Sequence, residues 1–240
     1  MDPRDSLPAM REAYHRYALE RPDLDGILLP GLLPHDACDA ASWRPDRVKV
    51  LFVAESPPWA AGRRAVAEPA DCRDPGYPYF WNDRYDAPHR PGAAPLSRGL
   101  AENLFSLLGL DGTSRRENLD LFAAKGLYLV DTVRCVFRKN RRAAIPADLI
   151  RMSARDTLAP ELAALDPEYV VALGNTALAG LREIEPYASA LSGAGRVTAP
   201  FPEAIFEEHR LLCLPYPGGR NRRYLASIES GFEILRDLAL

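Results

Sequence analysis

Two carboxylate residues, Glu55 and Asp131, each come directly after a short apolar run, a position from which a side chain can do chemistry. Glu55 follows Val48–Ala54 and precedes Ser56-Pro57-Pro58. The two prolines lack backbone N–H donors and stiffen the turn, so the carboxylate points in one direction. Partial desolvation would raise the pKa of such a carboxyl group toward values that suit a general base. The alternative is a glutamate that caps a helix or pairs with an arginine.

Asp131 follows the apolar run Leu127–Val130. In a pocket it would accept hydrogen bonds from N–H groups such as those on the edge of a nucleobase. The alternative is a turn or helix-capping residue. Asn175 and Thr176 follow a third apolar run, and we expect both to cap the helix after them. Asn175 also remains a candidate for ligand contact.

Two clusters of basic residues are candidates for binding phosphate. The segment from Arg134 to Arg142 contains no acidic residue, and a second cluster follows a glycine pair. Because each cluster follows a strand, we expect both on one rim of the sheet, where arginines and exposed backbone N–H groups would hold phosphates. The alternative is that the two clusters are only part of a solvated surface. The net charge of -3 gives the chain no global attraction to nucleic acid, so any DNA-binding surface must be local. The predicted phosphate-binding residues are Arg138, Lys139, Arg141, Arg142, Gly218, Gly219, Arg220, Arg222 and Arg223.

Residues 59–95 have no helical or strand period, but they include a dense group of aromatic residues between Tyr77 and Tyr85. Such density argues against disorder. We expect most of these rings to pack under the loop, while one of them stacks on a nucleobase.

Four short apolar runs must position these residues. They are Val48–Ala54, Leu127–Val130, Tyr169–Leu173 and Arg210–Leu214. Helical patterns separate these runs, and one of them, over 147–165, is interrupted at Pro160. The alternation of strands and helices predicts a four-stranded parallel sheet in a three-layer α/β/α fold. Ligands bind outside the carboxyl ends of such strands. We expect one domain over 1–240, with residues 1–45 as an N-terminal extension of helix and loop.

Composition excludes several classes of protein. The four cysteines form no C-x-x-C pair, which argues against a zinc ribbon. Four scattered cysteines in a chain of 240 residues do not make a disulfide scaffold. Cys135 and Cys213 are expected to be buried free thiols. No apolar run reaches the length of a membrane span, and the first residues have no apolar signal segment, so we expect a cytoplasmic location. We also expect a monomer. A small-nucleotide enzyme of the Rossmann type is the least favoured alternative, because the sequence contains no G-x-G-x-x-G motif and no P-loop motif.

The ordered set of strand ends resembles the motifs of the uracil-DNA glycosylase superfamily, in particular its family-four branch. Val50–Pro58 resembles the first motif, and residues 127–135 resemble the strand that ends at the base-reading residue. Residues 166–177 match the structural L-G-x-x-A segment, and residues 214–220 fall at the DNA-intercalating loop. The resemblance implies that Glu55 positions the hydrolytic water and that Phe80 stacks on a flipped base. The residues it places around the base are Ser56, Pro57, Phe80, Asp131, Asn175 and Tyr216.

The chain departs from the family pattern at several positions. Asp131 stands where the family has asparagine, Tyr216 replaces the loop histidine, and Ala54 and Pro58 replace glycines. The cysteines do not reproduce the family-four iron–sulfur pattern, so we predict no cofactor. We expect a DNA glycosylase acting on uracil or another modified base in DNA repair. The alternative is a glycosylase-fold protein that binds DNA or a nucleotide without cleaving it, in damage sensing or defence.

Overall fold

The structure is a computed structural model. It describes residues 7–31, 33–34, 40–58, 60–61, 64–65, 76–85, 95–138, 144–193, 195–198 and 203–239. Among the candidates above, Lys139, Arg141 and Arg142 lie outside these ranges, as do Cys38 and Cys72.

A four-stranded parallel sheet forms the centre of the molecule. Its strands are β2 (Val50–Ala54), β5 (Leu127–Asp131), β7 (Tyr169–Leu173) and β8 (Leu211–Leu214), and their order across the sheet is β5-β2-β7-β8. Nearly every residue in these strands is buried, as expected for parallel strands covered on both faces. The four predicted strands are thereby confirmed.

Helices cover both faces of the sheet, which confirms the three-layer α/β/α prediction. Phe52 of β2 packs its ring against Phe122 and Phe232, at centroid distances of 5.7 and 6.2 Å, which places two helices on one face. The helices of the described residues are α1 (Leu7–Glu20), α2 (Leu100–Leu107), α3 (Arg115–Ala124), α4 (Ala147–Ser153), α5 (Ala159–Leu165), α6 (Asn175–Leu181), α7 (Tyr187–Ala190), α8 (Glu203–His209) and α9 (Leu225–Ala239). Short 3-10 turns cover Pro22–Leu24, Ala40–Trp43 and Gly219–Tyr224.

The N-terminal residues pack onto the segment that follows β5. The short strand β1 (Leu28–Leu29) pairs antiparallel with β6 (Val136–Phe137). The Tyr14 hydroxyl accepts a hydrogen bond from Arg134 N at 2.7 Å and contacts Ser153 Oγ at 2.5 Å. Ser153 Oγ in turn donates to Thr132 O at 2.6 Å. These bonds fix the backbone directly after Asp131.

Three local predictions need correction. The interruption predicted at Pro160 is a π-helical segment over Ala154–Leu158, between α4 and α5. It lies one turn before the proline, where the missing N–H and the ring disturb the helical ladder. The N-terminal extension over 1–45, predicted as helix and loop, also contains the strand β1, which has too few residues to show a period. The loop predicted over 59–95 contains a two-stranded hairpin, β3 (Ala60–Ala61) with β4 (Arg64–Ala65).

Arg134 also differs from its predicted place on the rim. Its side chain is 2% exposed and forms an ion pair with Glu161 of α5, so it is buried in the fold and does not lie on the rim. Among the described residues no helix is long and apolar enough to cross a membrane.

Candidate active site

A cavity of about 660 Å³ opens at the carboxyl ends of the sheet strands. This volume is typical of a small-molecule site. It lies where the fold predicts a ligand, and residues at the carboxyl ends of all four sheet strands line it. The lining residues relevant here are Glu55, Ser56, Pro57, Tyr79, Phe80, Arg98, Asp131, Gly174, Asn175, Arg196, Tyr216, Gly218, Gly219, Arg220 and Arg223.

Glu55 and Asp131 reach this cavity from neighbouring strands. Ala54 lies beside Asp131 in the β2–β5 register, so Glu55 extends one residue further along β2. The backbone beyond the register stays joined, since Val133 N donates to Glu55 O at 3.0 Å. The two carboxyl groups therefore face one cavity from adjacent positions.

Thr176 orients the Glu55 side chain. Its hydroxyl donates to Glu55 Oε2 at 2.7 Å, across from α6 to the end of β2. The prediction that Thr176 caps α6 is therefore wrong, and so is the same prediction for Asn175. Gly174 occupies the capping position without a side-chain bond, while Asn175 Oδ1 accepts from Val197 N at 2.9 Å. Asn175 thus fixes the loop that carries Arg196.

Asp131 is 3% exposed, and burial raises its pKa to about 7, while nearby Arg134 and a hydrogen bond from Tyr79 act in the opposite direction. Tyr79 Oη donates to Asp131 Oδ2 at 3.4 Å. A carboxyl group with this pKa exchanges a proton near neutral pH. It can therefore present either a donor and an acceptor, or acceptors only.

Tyr216, which follows β8, also lines the cavity, and two glycines make room for it. Gly174 has φ +88°, and a Cβ at that residue would lie 3.0 Å from Tyr216 Cβ. A Cβ at Gly218 would lie 2.8 Å from Tyr216 Cε1. Burial, together with the charge of Asp131, raises the pKa of Tyr216 to about 12, so the side chain is a neutral phenol at physiological pH.

The aromatic loop, residues 76–85, forms another wall of the cavity. Phe80 lines the cavity, yet it is only 3% exposed, because its ring packs edge-on against Trp81 at 4.8 Å and Phe122 at 5.2 Å. Tyr77 Oη donates to Pro58 O at 2.9 Å, which joins the loop to the turn after Glu55. Most of the loop's rings pack in the core, and Phe80 is one ring that reaches the cavity.

Among the residues that the structure describes, four exposed arginines line the cavity mouth. Arg220 and Arg223 come from the predicted second cluster, whereas Arg98 and Arg196 were not predicted, because each stands alone in the sequence. Arg222 is not among the lining residues, and its Nε donates to Pro95 O at 3.0 Å. Arg138, exposed after β6, is not among them either.

The two cysteines that the structure describes do not suit a shared iron–sulfur cluster. Such a cluster needs cysteine thiolates gathered at one place. Cys213 lies in β8 within the main core, whereas Cys135 follows β5, at the opposite edge of the sheet, and packs beneath α1. Both are buried free thiols, as predicted, and burial raises the pKa of each.

Comparison with known proteins identifies the fold family. The protein-family model of the uracil DNA glycosylase superfamily matches residues 42–238, which is most of the chain. A comparison with curated proteins found no match.

Proposed function

Since the chain belongs to the uracil-DNA glycosylase superfamily, which implies a DNA glycosylase type of function, we propose that it hydrolyses the N-glycosidic bond of a flipped, modified base in DNA. The observation that carries this proposal is the meeting of Glu55 and Asp131 at one cavity with arginines at its mouth. An enzyme that acts on a base must take it out of the stack into such a pocket.

In the proposed reaction the base enters the cavity beside Phe80, and Asp131 binds its edge. Glu55, held by Thr176, orients water toward C1′ of the sugar, and its negative charge stabilises the positive charge that develops there. The bond from C1′ to the base nitrogen breaks with its electron pair going to the base. The water oxygen bonds to C1′ and transfers one proton to the Glu55 carboxylate, while the base leaves as an anion. Tyr216, a neutral phenol, stands where the family has histidine.

Asp131 supports a base with N–H groups on its edge. An ionised carboxylate accepts hydrogen bonds but donates none, so it suits an amino-bearing or otherwise modified base better than one whose carbonyl oxygen faces it. Uracil remains a substrate in the protonated state, because a neutral carboxyl group both donates and accepts. The choice of base therefore depends on pH.

The rim arginines are expected to hold the phosphates beside the flipped nucleotide. Replacing Arg98 and Arg223 together with glutamine should weaken DNA binding and reduce its salt dependence. The slope of log affinity against log salt should become shallower by about 0.9 for each phosphate of duplex DNA that the variant no longer neutralises. Fluorescence anisotropy at several salt concentrations measures this slope.

Arg47→Gln is the matched control. Arg47 is 84% exposed and precedes β2, so it lies at the amino end of the sheet, away from the cavity. An equal reduction of salt dependence in this variant would contradict the assignment of the rim.

A second candidate is a glycosylase-fold protein that binds DNA without cleaving it. Asp131 and Tyr216 favour it, since they replace the asparagine and histidine of the family motifs. Incubating the protein with oligonucleotides that each contain one modified base, followed by alkali cleavage at abasic sites, separates the two. Strand cleavage supports the glycosylase, whereas tight binding of such DNA without cleavage supports the sensor.

A further inference from the structure

Arg115 binds the backbone of the aromatic loop at three points. Its Nε donates to Asn82 O at 2.6 Å, and its Nη2 donates to Tyr79 O at 2.6 Å and to Phe80 O at 2.9 Å. The guanidinium also lies 5.2 Å from the ring centroid of Tyr85. All of these contacts fall on the segment that brings Tyr79 and Phe80 to the cavity.

The side chain of Arg115 is itself fixed in place. It is 9% exposed and forms an ion pair with Glu102 of α2. The residue is the first of α3, a helix that packs on the sheet through Phe122. Arg115 therefore connects the loop to two helices of the core.

The contacts require an arginine. A guanidinium has five N–H donors in one rigid plane, which can serve several carbonyl oxygens and a carboxylate together. A lysine keeps the positive charge, but its single ammonium group cannot reach this spread of acceptors. Charge and geometry can therefore be separated by one substitution.

We propose that Arg115 is a positioning residue, which holds Tyr79 and Phe80 as a preformed wall of the base slot before DNA binds. The proposal rests on the proposed function, since the wall matters only if a base enters the cavity. A wall fixed in advance spares the ordering of a loop on binding and holds the base at reacting distance from Glu55. Arg115 acts on the base through the loop and does not touch it.

The test compares Arg115→Lys with Arg116→Lys. Arg116 is the neighbouring residue and also reaches the loop, through an ion pair with Asp83 at 3.0 Å. Its side chain is largely exposed, and this ion pair goes to a side chain, whereas Arg115 binds the loop backbone. Both variants keep the charge. Single-turnover excision should fall about 10- to 100-fold in Arg115→Lys and stay near the wild-type rate in Arg116→Lys.

Two further measurements distinguish positioning from general damage to the fold. Affinity for DNA with an abasic site, which has no base to hold, should be unchanged in Arg115→Lys. Hydrogen–deuterium exchange should accelerate in residues 76–85 and not in β2 or β7. If Arg115→Lys is too unstable to study, Glu102→Gln removes the ion pair and leaves the donors of Arg115 in place. This variant should also slow excision and accelerate exchange in residues 76–85, each by less than Arg115→Lys.

The outcomes separate this inference from the proposed function. A wild-type protein that excises no base from any substrate defeats the proposed function, and the exchange comparison still decides whether Arg115 holds the loop. Unchanged exchange and unchanged excision in Arg115→Lys overturn the positioning role. Equal reductions of excision and of abasic-site binding also overturn it.

Discussion

Glu55→Gln should reduce excision by about 10²- to 10⁴-fold while binding substrate DNA nearly as well as the wild type. The amide has the size of the carboxylate, so it fits the cavity. It neither accepts a proton from water nor carries the negative charge that, in the proposed reaction, stabilises the sugar cation. The proposed phosphate contacts lie at the rim and should stay intact. Single-turnover excision and anisotropy measure the two quantities separately.

Thr176→Val extends this prediction to the group that orients Glu55. Valine has the shape of threonine without the hydroxyl that donates at 2.7 Å, so the carboxylate stays in the cavity but is less restrained. Its rate should lie between those of the wild type and Glu55→Gln. Glu229→Gln, an exposed position on α9, is the control and should have no effect. A parallel reduction of DNA binding in Glu55→Gln would assign Glu55 a structural role.

Asp131→Asn should change how excision of uracil depends on pH. In the wild type, the pKa of about 7 makes the Asp131 side chain increasingly anionic above neutral pH. In the proposed complex it would then face a uracil carbonyl oxygen without a hydrogen-bond donor. Asparagine supplies both donor and acceptor groups at every pH. A buried polar group left without its hydrogen bond costs about 1–3 kcal/mol, so at pH 8.5 the variant should excise uracil about 10- to 100-fold faster than the wild type.

The same substitution should change the pH dependence of stability. Asp131 has an ordinary pKa of 3.8 and a raised pKa of about 7 in the folded protein. Between these values the folded state binds more protons than the unfolded state, so the free energy of unfolding falls as pH rises, by up to about 1.4 kcal/mol per pH unit. Asp131→Asn removes this contribution.

Urea unfolding at several pH values from 5 to 8 measures the difference between the two slopes. Asp111→Asn, at an exposed position, should keep the wild-type slope.

Identical base preference at pH 6 and pH 8.5 in both the wild type and Asp131→Asn would refute the role of Asp131 in recognising the base.

The sheet and the two carboxylates could be predicted because their signals are local. Each apolar run is long enough to show a buried strand, and parallel strands bring their carboxyl ends to one edge. This alone places Glu55 and Asp131 at the same cavity. The family motifs then add Phe80 and Tyr216, which also line it.

The contacts that complete the site could not be predicted, because they join residues far apart in the chain. Thr176 looks like a helix cap until the fold brings it to Glu55, 121 positions away. Arg115 looks like a surface residue at a helix start until the loop reaches it. Arg134 looks like part of a basic run, although burial and Glu161 give it a different place.

The aromatic loop has a consequence beyond the cavity, through Trp81. Its Nε1 donates to Leu129 O at 3.1 Å, on the outer side of β5, which is the edge strand of the sheet. An edge with unsatisfied backbone groups invites pairing with a strand from another molecule, and covering it prevents self-association. Changes that loosen the loop therefore expose the edge of β5 to other molecules, in addition to disturbing the cavity. A variant such as Trp81→Phe should precipitate sooner than the wild type on mild heating.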